Sequence, residues 1–225
     1  MNKKLSVVVP YRDRQSHLDE FLNTLPDYLS SEGILFHIYI INQVDECLFN
    51  RAKLLNVGFL ESCETSDYTA FHDIDMLPIK SEAGYHYTET ARQVHSPTIY
   101  SMGGISIVNN NINKDVNGWA NSYWGWGGED RNYMHRLRDK NIVLEESQGF
   151  RGWDWAKDHF RELEGLHDPA RKKFKKTQRA VTKKFLAAPE LNSTDGLNSC
   201  DYTVVSKVCD KLHTIVDVDL LCEGL

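Results

Sequence analysis

The chain has 225 residues, 41% of them hydrophobic and 26% charged, enough apolar material to bury a core in one or two domains. A net charge of −6 argues against a general nucleic-acid binder. No apolar stretch reaches the length of a membrane span, and the opening MNKKLSVVVP enters a strand too quickly for a signal peptide, so the expectation is a cytoplasmic protein.

In chain order, Leu5–Pro10 (LSVVVP) is a β-branched run closed by proline and predicts a buried parallel strand. The next stretch places Leu18, Phe21, Leu22 and Leu25 at helical spacing. ILFHIYII predicts a second strand, NRAKLLNVGFLESC a second helix, and YTAFHDIDMLP a third strand running into an acidic turn. Alternation of this kind predicts a parallel sheet with right-handed crossovers, an α/β fold. After Pro78 the pattern loosens into Gly- and Asn-rich loops, MGGISIV, and a helix over EDRNYMHRLRDK; NIVLEE reads as a further strand. YTVVSKVC and HTIVDVDL read as two strands closing the sheet. There is no repeat and no linker, so one domain is expected over residues 1–225. The run from Arg171 to Lys184 carries eight cations and no acid, which most often marks a solvated helix face and otherwise an anion- or membrane-facing surface. The five cysteines are odd in number and form no CxxC pair, which fits a reduced compartment better than a disulfide scaffold.

Three clusters carry chemistry. Asp73 and Asp75, two apart at a predicted strand end, point to one side in extended chain and can hold a divalent cation bridging a diphosphate. Phe71, Met76 and Leu77 around them make a casual surface turn a poorer reading. Arg12 and Arg14 follow the first strand and Arg51 opens the second helix, where guanidinium forks and a helix N-terminus suit phosphate; Tyr11 or Phe49 could stack on a base. Surface ion pairing with Asp13 or Asp19 is the plain alternative. Tyr123–Asp130 (YWGWGGED) packs two tryptophans, three glycines and two adjacent acids into eight residues, a combination with no purely structural economy. His167 is a metal ligand only if its loop folds back onto Asp75.

The segments VVVPYRDRQSHL, INQ, FNRAKLLNVGF, DYTAFHDIDMLP, GG, YWGWGGED, LHDPARKK and DGLNS together closely resemble the β-1,4-galactosyltransferases, inverting glycosyltransferase family 7. LHDPARKK is most similar to the branch that galactosylates xylose, and the resemblance runs from about Leu5 to Leu220. It implies a single-domain GT-A fold, Rossmann-like, with residues up to about 80 binding the nucleotide and about 81–225 binding the acceptor. It implies a UDP site at Pro10, Tyr11, Arg12, Arg14, Phe49 and Arg51, with Asp73 and Ile74 helping to hold the donor and Asp75 and His167 binding Mn²⁺. It further implies that Trp126 closes over donor and acceptor on a glycine hinge, that Glu129 binds the acceptor, and that Asp130 is the catalytic base. The implied partners are a UDP-sugar and a glycan acceptor, with peripheral contact to a membrane-bound acceptor left open, and no nucleic acid.

Three departures from the family pattern stand out. Gly165 replaces the first histidine of an expected HLH, removing one metal ligand. Ser101 stands where a tyrosine commonly restricts the donor to galactose, which leaves UDP-GalNAc open as donor unless Tyr100 takes that place. Ala70 replaces an expected cysteine, which points to a bacterial or viral cytoplasmic enzyme. The expected activity is galactose transfer from UDP-galactose with formation of a β-1,4 bond. The rivals are GalNAc transfer, a non-catalytic sugar-binding relative and, more remotely, a metal phosphohydrolase.

Overall fold

Leu5–Pro10 lies within the first strand, β1 (Lys4–Tyr11), of the computed structural model, which describes residues 3–96, 98, 100–145, 157–164 and 171–222. The chain continues through α1 (Gln15–Ser31), β2 (Leu35–Gln43), α2 (Arg51–Ser62) and β3 (Tyr68–His72). β2 and β3 flank β1 in parallel, as the alternation of strands and helices predicts. Residues of β1 alternate between two cores. Val8 packs with Leu54, Leu55 and Phe59 of α2, whereas Leu5, Val7 and Val9 pack with Leu18, Phe21, Leu25 and Leu29 of α1. The edge of the sheet where these strands end is therefore held from both faces.

Beyond β3 come β4 (Met76–Pro78), β5 (Ala91–His95), β6 (Ile105–Asn109), α3 (Asn110–Asp115), α4 (Glu129–Asp139), β7 (Phe160–Glu162), α5 (Arg171–Ala187), β8 (Thr203–Cys209) and β9 (His213–Asp219). Seven strands form one sheet in the order β5-β6-β3-β1-β2-β9-β8, and β4 and β7 make a separate pair. The sheet is mixed rather than parallel: β9 joins β2 in parallel, but β6, β5 and β8 are antiparallel to their neighbours. Because β6 runs against β3, the start of β6 meets the end of β3, and both reach the same sheet edge.

Three local readings change. MLP leaves the third strand to become β4, since its partner is Phe160–Glu162. The described part of NIVLEE makes one isolated bridge, Leu144 to Ala91, and no strand. The strand β5 lies where the sequence reads as loop, because its buried residues are largely polar: Arg92 donates to the carbonyls of Gly84 and His86 and pairs with Glu145. The two terminal strands β8 and β9 close the sheet as read.

Cys47 and Cys222 are joined in a disulfide with their Cα atoms 6.4 Å apart, which the cysteine count and spacing, read as fitting a reduced compartment better than a disulfide scaffold, did not anticipate. Pairing across 175 residues leaves no spacing motif to read. No helix among the described residues is long and apolar enough to cross a membrane.

The seam between α2 and the sheet leaves no room for a side chain. A Cβ placed on Gly58 would come within 2.2 Å of Val8 Cγ1 and 2.9 Å of Ile41 Cγ1. Gly58→Ala is expected to destabilise the protein by about 1–3 kcal/mol through overpacking, read as a lower urea midpoint at unchanged m-value. A midpoint equal to that of the parent would show that helix and sheet can separate at no cost.

Candidate active site at the carboxyl edge of the sheet

The strand ends and the glycine-rich loop converge on one buried cation. Asn50 caps α2, its side chain accepting from Lys53 N at 2.9 Å, and so places Arg51 at the first helical position. Arg51 Nε donates to Asp73 Oδ1 at 2.7 Å, and its Nη1 lies 3.7 Å from Glu129 Oε1. Its guanidinium carbon sits 5.3 Å from the ring of Trp119, which stacks on Tyr133 with centroids 4.1 Å apart. Both terminal nitrogens of Arg51 are buried and make no hydrogen bond among the described residues. Burial works against the charge of Arg51, but the fields of Asp73, Glu129 and Asp130 outweigh it and raise its pKa.

The other predicted donor-site residues surround this group. Arg14 Nη1 pairs with Asp75 Oδ2 at 3.0 Å, and Tyr11 Oη accepts from Arg14 N. Arg12 donates to the carbonyl of Cys47 at 2.7 Å and lies 5.4 Å from the ring of Phe49. Pro10 and Ile74 are buried beneath them. Asp73 N donates to Gly104 O at 3.0 Å, locking the acidic turn to the start of β6. His72 braces the same turn. Its Nδ1 can only donate to the carbonyl of Asp73, at 2.8 Å, so Nε2 accepts from Tyr85 Oη at 2.6 Å. Burial keeps this imidazole neutral, with its pKa lowered to about 4.

The YWGWGGED segment forms the opposite wall. Gly125 N donates to Phe49 O at 2.8 Å, tying the loop to the donor side. Gly125 and Gly128 have φ of +89° and +102°, and a Cβ there would strike the Phe174 ring at 2.8 Å and Thr182 Oγ1 at 2.7 Å. α5 is the element that presses on the loop: Gln178 donates to Trp124 O, and Phe185 stacks on Tyr123. Lys176, Arg179, Lys183 and Lys184 meanwhile face solvent, so the described part of the basic run is largely a solvated helix face. Trp126 is 43% exposed at the loop's tip. Asp195 of the DGLNS segment accepts from Asn121 N and Ser122 Oγ, each at 2.7 Å, and fixes the loop's entry.

Glu129 and Asp130 open α4, whose N-cap is Gly128. Met102 N donates to Asp130 O at 3.1 Å, which ties this helix start to the segment entering β6. Burial, and then repulsion from Asp130, push the Glu129 carboxyl up to about 7 despite the opposing pull of Arg51.

For a divalent cation, Asp75 supplies a hard carboxylate at the strand end. Among the described residues no group of three metal-capable side chains gathers around it. A hard cation carrying a nucleotide diphosphate usually completes its shell with substrate phosphate oxygens. Gly165 and His167 lie outside the described residues.

Ser101 is fully buried with its hydroxyl 2.9 Å from Ser96 Oγ, and Tyr100 is 58% exposed. Sequence reading missed Trp119 and Asn50, the platform and the cap that fix Arg51. An N-cap Asn immediately before a helix-opening Arg was the one available signal.

The shifted carboxyl makes stability depend on pH. A carboxyl with a folded pKa above its unfolded value of 4.5 costs nothing when protonated in both states and costs most when ionised, so stability falls as pH rises between about 4.5 and about 7. Glu129→Gln, neutral throughout, is expected to match the parent near pH 4.5 and to exceed it at pH 8.5 by about 3 kcal/mol, measured by urea unfolding. An offset that does not change with pH would exclude the raised pKa.

The chain matches the family model for the N-terminal region of glycosyl transferase group 7 over residues 1–88, and that for the N-terminal domain of galactosyltransferase over residues 85–166. It is 33% identical to human beta-1,4-galactosyltransferase 7 across 96% of this chain and 68% of that protein. It is 31% identical to the xylosylprotein 4-beta-galactosyltransferase of Caenorhabditis elegans, across 98% of this chain and 79% of the other. A Drosophila β-1,4-galactosyltransferase 7 mutant solved with manganese, UDP-Gal and xylobiose superposes with a TM-score of 0.77 at 29% identity, covering 98% of this chain and 95% of that one. The mixed sheet with helices on both faces is thus the GT-A fold, and this chain belongs to glycosyltransferase group 7, the β-1,4-galactosyltransferase family.

Proposed function

We propose that the chain transfers galactose from UDP-galactose to a sugar hydroxyl with inversion, forming a β-1,4 bond, and that the acceptor ends in xylose. The observation that carries this reading is Arg51: a buried guanidinium with two terminal nitrogens that make no hydrogen bond among the described residues, between a strand-end carboxylate and a helix-opening acid pair. An unfulfilled buried fork of this kind is a receptor for an anion, and the leaving group of the reaction is a diphosphate. The xylose-directed relatives, and the Drosophila structure holding xylobiose, support the acceptor.

In the proposed reaction Asp130 takes the proton of the acceptor hydroxyl as its oxygen attacks the anomeric carbon of galactose. The bond from that carbon to the phosphate oxygen breaks on the opposite face, and UDP departs with the electron pair. Arg12, Arg14 and Arg51 line the path of the departing charge, and Tyr11 and Phe49 flank the nucleotide. Asp75, with His167, would hold Mn²⁺, which lends further positive charge to the leaving diphosphate. Glu129 holds an acceptor hydroxyl, and Trp126 lays its ring on the sugars when the glycine hinge closes. The UDP-Gal held by the Drosophila relative supports galactose over GalNAc.

Asp130→Asn is expected to keep UDP affinity in the presence of Mn²⁺ while losing at least roughly a hundredfold in turnover on a xyloside acceptor, the usual worth of a general base. Turnover near that of the parent would remove Asp130 from the role. Side-by-side initial rates are expected to favour UDP-Gal over UDP-GalNAc by more than roughly a hundredfold. Rates within about tenfold of each other would overturn the donor assignment.

A further inference from the structure

The segment between β2 and α2 reaches the candidate donor pocket at both of its ends. Cys47 supplies the carbonyl that accepts from Arg12, and Phe49 supplies both the ring near Arg12 and the carbonyl that accepts from Gly125 of the glycine-rich loop. Gln43 holds its far end, with Nε2 donating to Leu48 O at 3.1 Å and Oε1 accepting from Asn50 N at 3.0 Å, and its middle is pinned by a junction built on Asp45. Asp45 Oδ1 accepts from Cys47 N at 2.9 Å and from Gln43 Nε2 at 2.8 Å, and Asp45 Oδ2 accepts from Leu220 N at 2.9 Å. Leu220 O in turn accepts from Lys53 Nζ of α2. The disulfide Cys47–Cys222 is the covalent part of this junction, binding the chain's last described residue to the middle of the segment.

Each element of the junction has a reason to be there. Leu220 is fully buried and belongs to the core that also holds α2, so the C-terminal end is a fixed post rather than a trailing chain. Val44, Glu46 and Leu48, by contrast, are exposed, and the segment has no regular structure of its own. A segment with few buried apolar contacts opens at low free energy unless something ties it down. Here the tie is covalent and its other end stands on the core.

We propose that the Cys47–Cys222 bond is a redox-sensitive positioning device for the donor pocket: oxidised, it holds Arg12 and Phe49 in the arrangement that receives the nucleotide; reduced, it lets the segment loosen and weakens donor binding while leaving the chemistry intact. This consequence rests on the reading of Arg12 and Phe49 as donor-binding residues. The redox step is ordinary thiol–disulfide exchange. A dithiol breaks the S–S bond, two electrons and two protons pass to the two sulfurs, and the dithiol becomes a disulfide. Cys63, Cys200 and Cys209 take no part: Cys209 is exposed on the outer strand β8, and burial raises Cys200 to about 12.

The test uses the full chain, with and without dithiothreitol, and UDP with Mn²⁺ as the probe. Alkylation and mass spectrometry of the unfolded oxidised protein are expected to label three cysteines, Cys63, Cys200 and Cys209. All five are expected to be labelled after reduction. Reduction is expected to raise amide exchange across Glu46–Phe49 and to weaken UDP binding by roughly three- to tenfold, the cost of re-ordering one or two side chains on binding. KM for the donor is expected to rise by the same factor at nearly constant kcat. Cys222→Ser is expected to reproduce the reduced behaviour without reductant, and Cys209→Ser to bind UDP as the parent does. Five labelled cysteines in the oxidised protein, or unchanged exchange at Glu46–Phe49 on reduction, would overturn the tie. Raised exchange with unchanged UDP affinity, in a protein whose Arg12→Ala variant does lose UDP affinity, would overturn its influence on the donor. If neither reduction nor Arg12→Ala alters UDP affinity, the donor-site reading fails and the proposed consequence fails with it.

Discussion

A buried guanidinium needs compensation, and in this protein the demand of Arg51 organises the site. Taking that charge out of water costs several kcal/mol, which close carboxylates and hydrogen bonds must offset. Asp73 does so from the end of β3 and Glu129 from the start of α4. The residue is thus a brace between the half of the chain that ends in the acidic turn and the half that opens with the tryptophan loop. One hydrogen bond and one longer ion pair do not use up its five donors. The arrangement is stable enough to fold and incomplete enough to bind.

The same economy governs the loop. Gly125 and Gly128 adopt backbone conformations that side chains resist, in space that Phe174 and Thr182 of α5 would deny to a Cβ. α5 therefore serves two purposes at once. Its apolar stripe, with Phe174, Val181 and Phe185, holds the loop's base, while its exposed cations stand in water beside the proposed acceptor side. Fixing the base and leaving Trp126 at the exposed tip separates a rigid anchor from an element able to move.

Much of this was legible in the sequence. The first five elements follow from β-branched runs alternating with helical spacing, and the acidic turn stands where a strand runs out of apolar residues. What was not legible depends on partners distant in the chain. β5 hides because Arg92 and Gln93 are buried by hydrogen bonding rather than by apolarity, which no hydropathy pattern records. NIVLEE has the composition of a strand but only one bridge to sustain it. The closeness of Cys47 to Cys222, and of Arg51 to Glu129, arises only once β9 has inserted beside β2 and α4 has packed across the sheet edge.

The pairing of Glu129 with Asp130 sets two effects against each other. A helix N-terminus favours carboxylates in its first turn, typically by less than about 1 kcal/mol. Burial beside a second acid disfavours ionisation far more strongly, and it wins for Glu129, whose pKa rises to about 7. Two adjacent acids with different burial are thereby made chemically unequal. The buried one, divided between its protonated and ionised forms near pH 7, is suited to sharing hydrogen bonds with a hydroxyl in either direction. Asp130, less buried and hydrogen-bonded at Oδ1 by Arg131 N, is suited to accepting a proton. Arg51 narrows the difference, because it contacts Glu129 directly and so opposes full neutralisation. Filling its remaining donors with a diphosphate would draw positive charge away from Glu129 and favour the protonated form. Donor binding and the protonation of Glu129, the acid proposed to face the acceptor, would in this way be linked through one guanidinium, because the same cation contacts both sides of the proposed site.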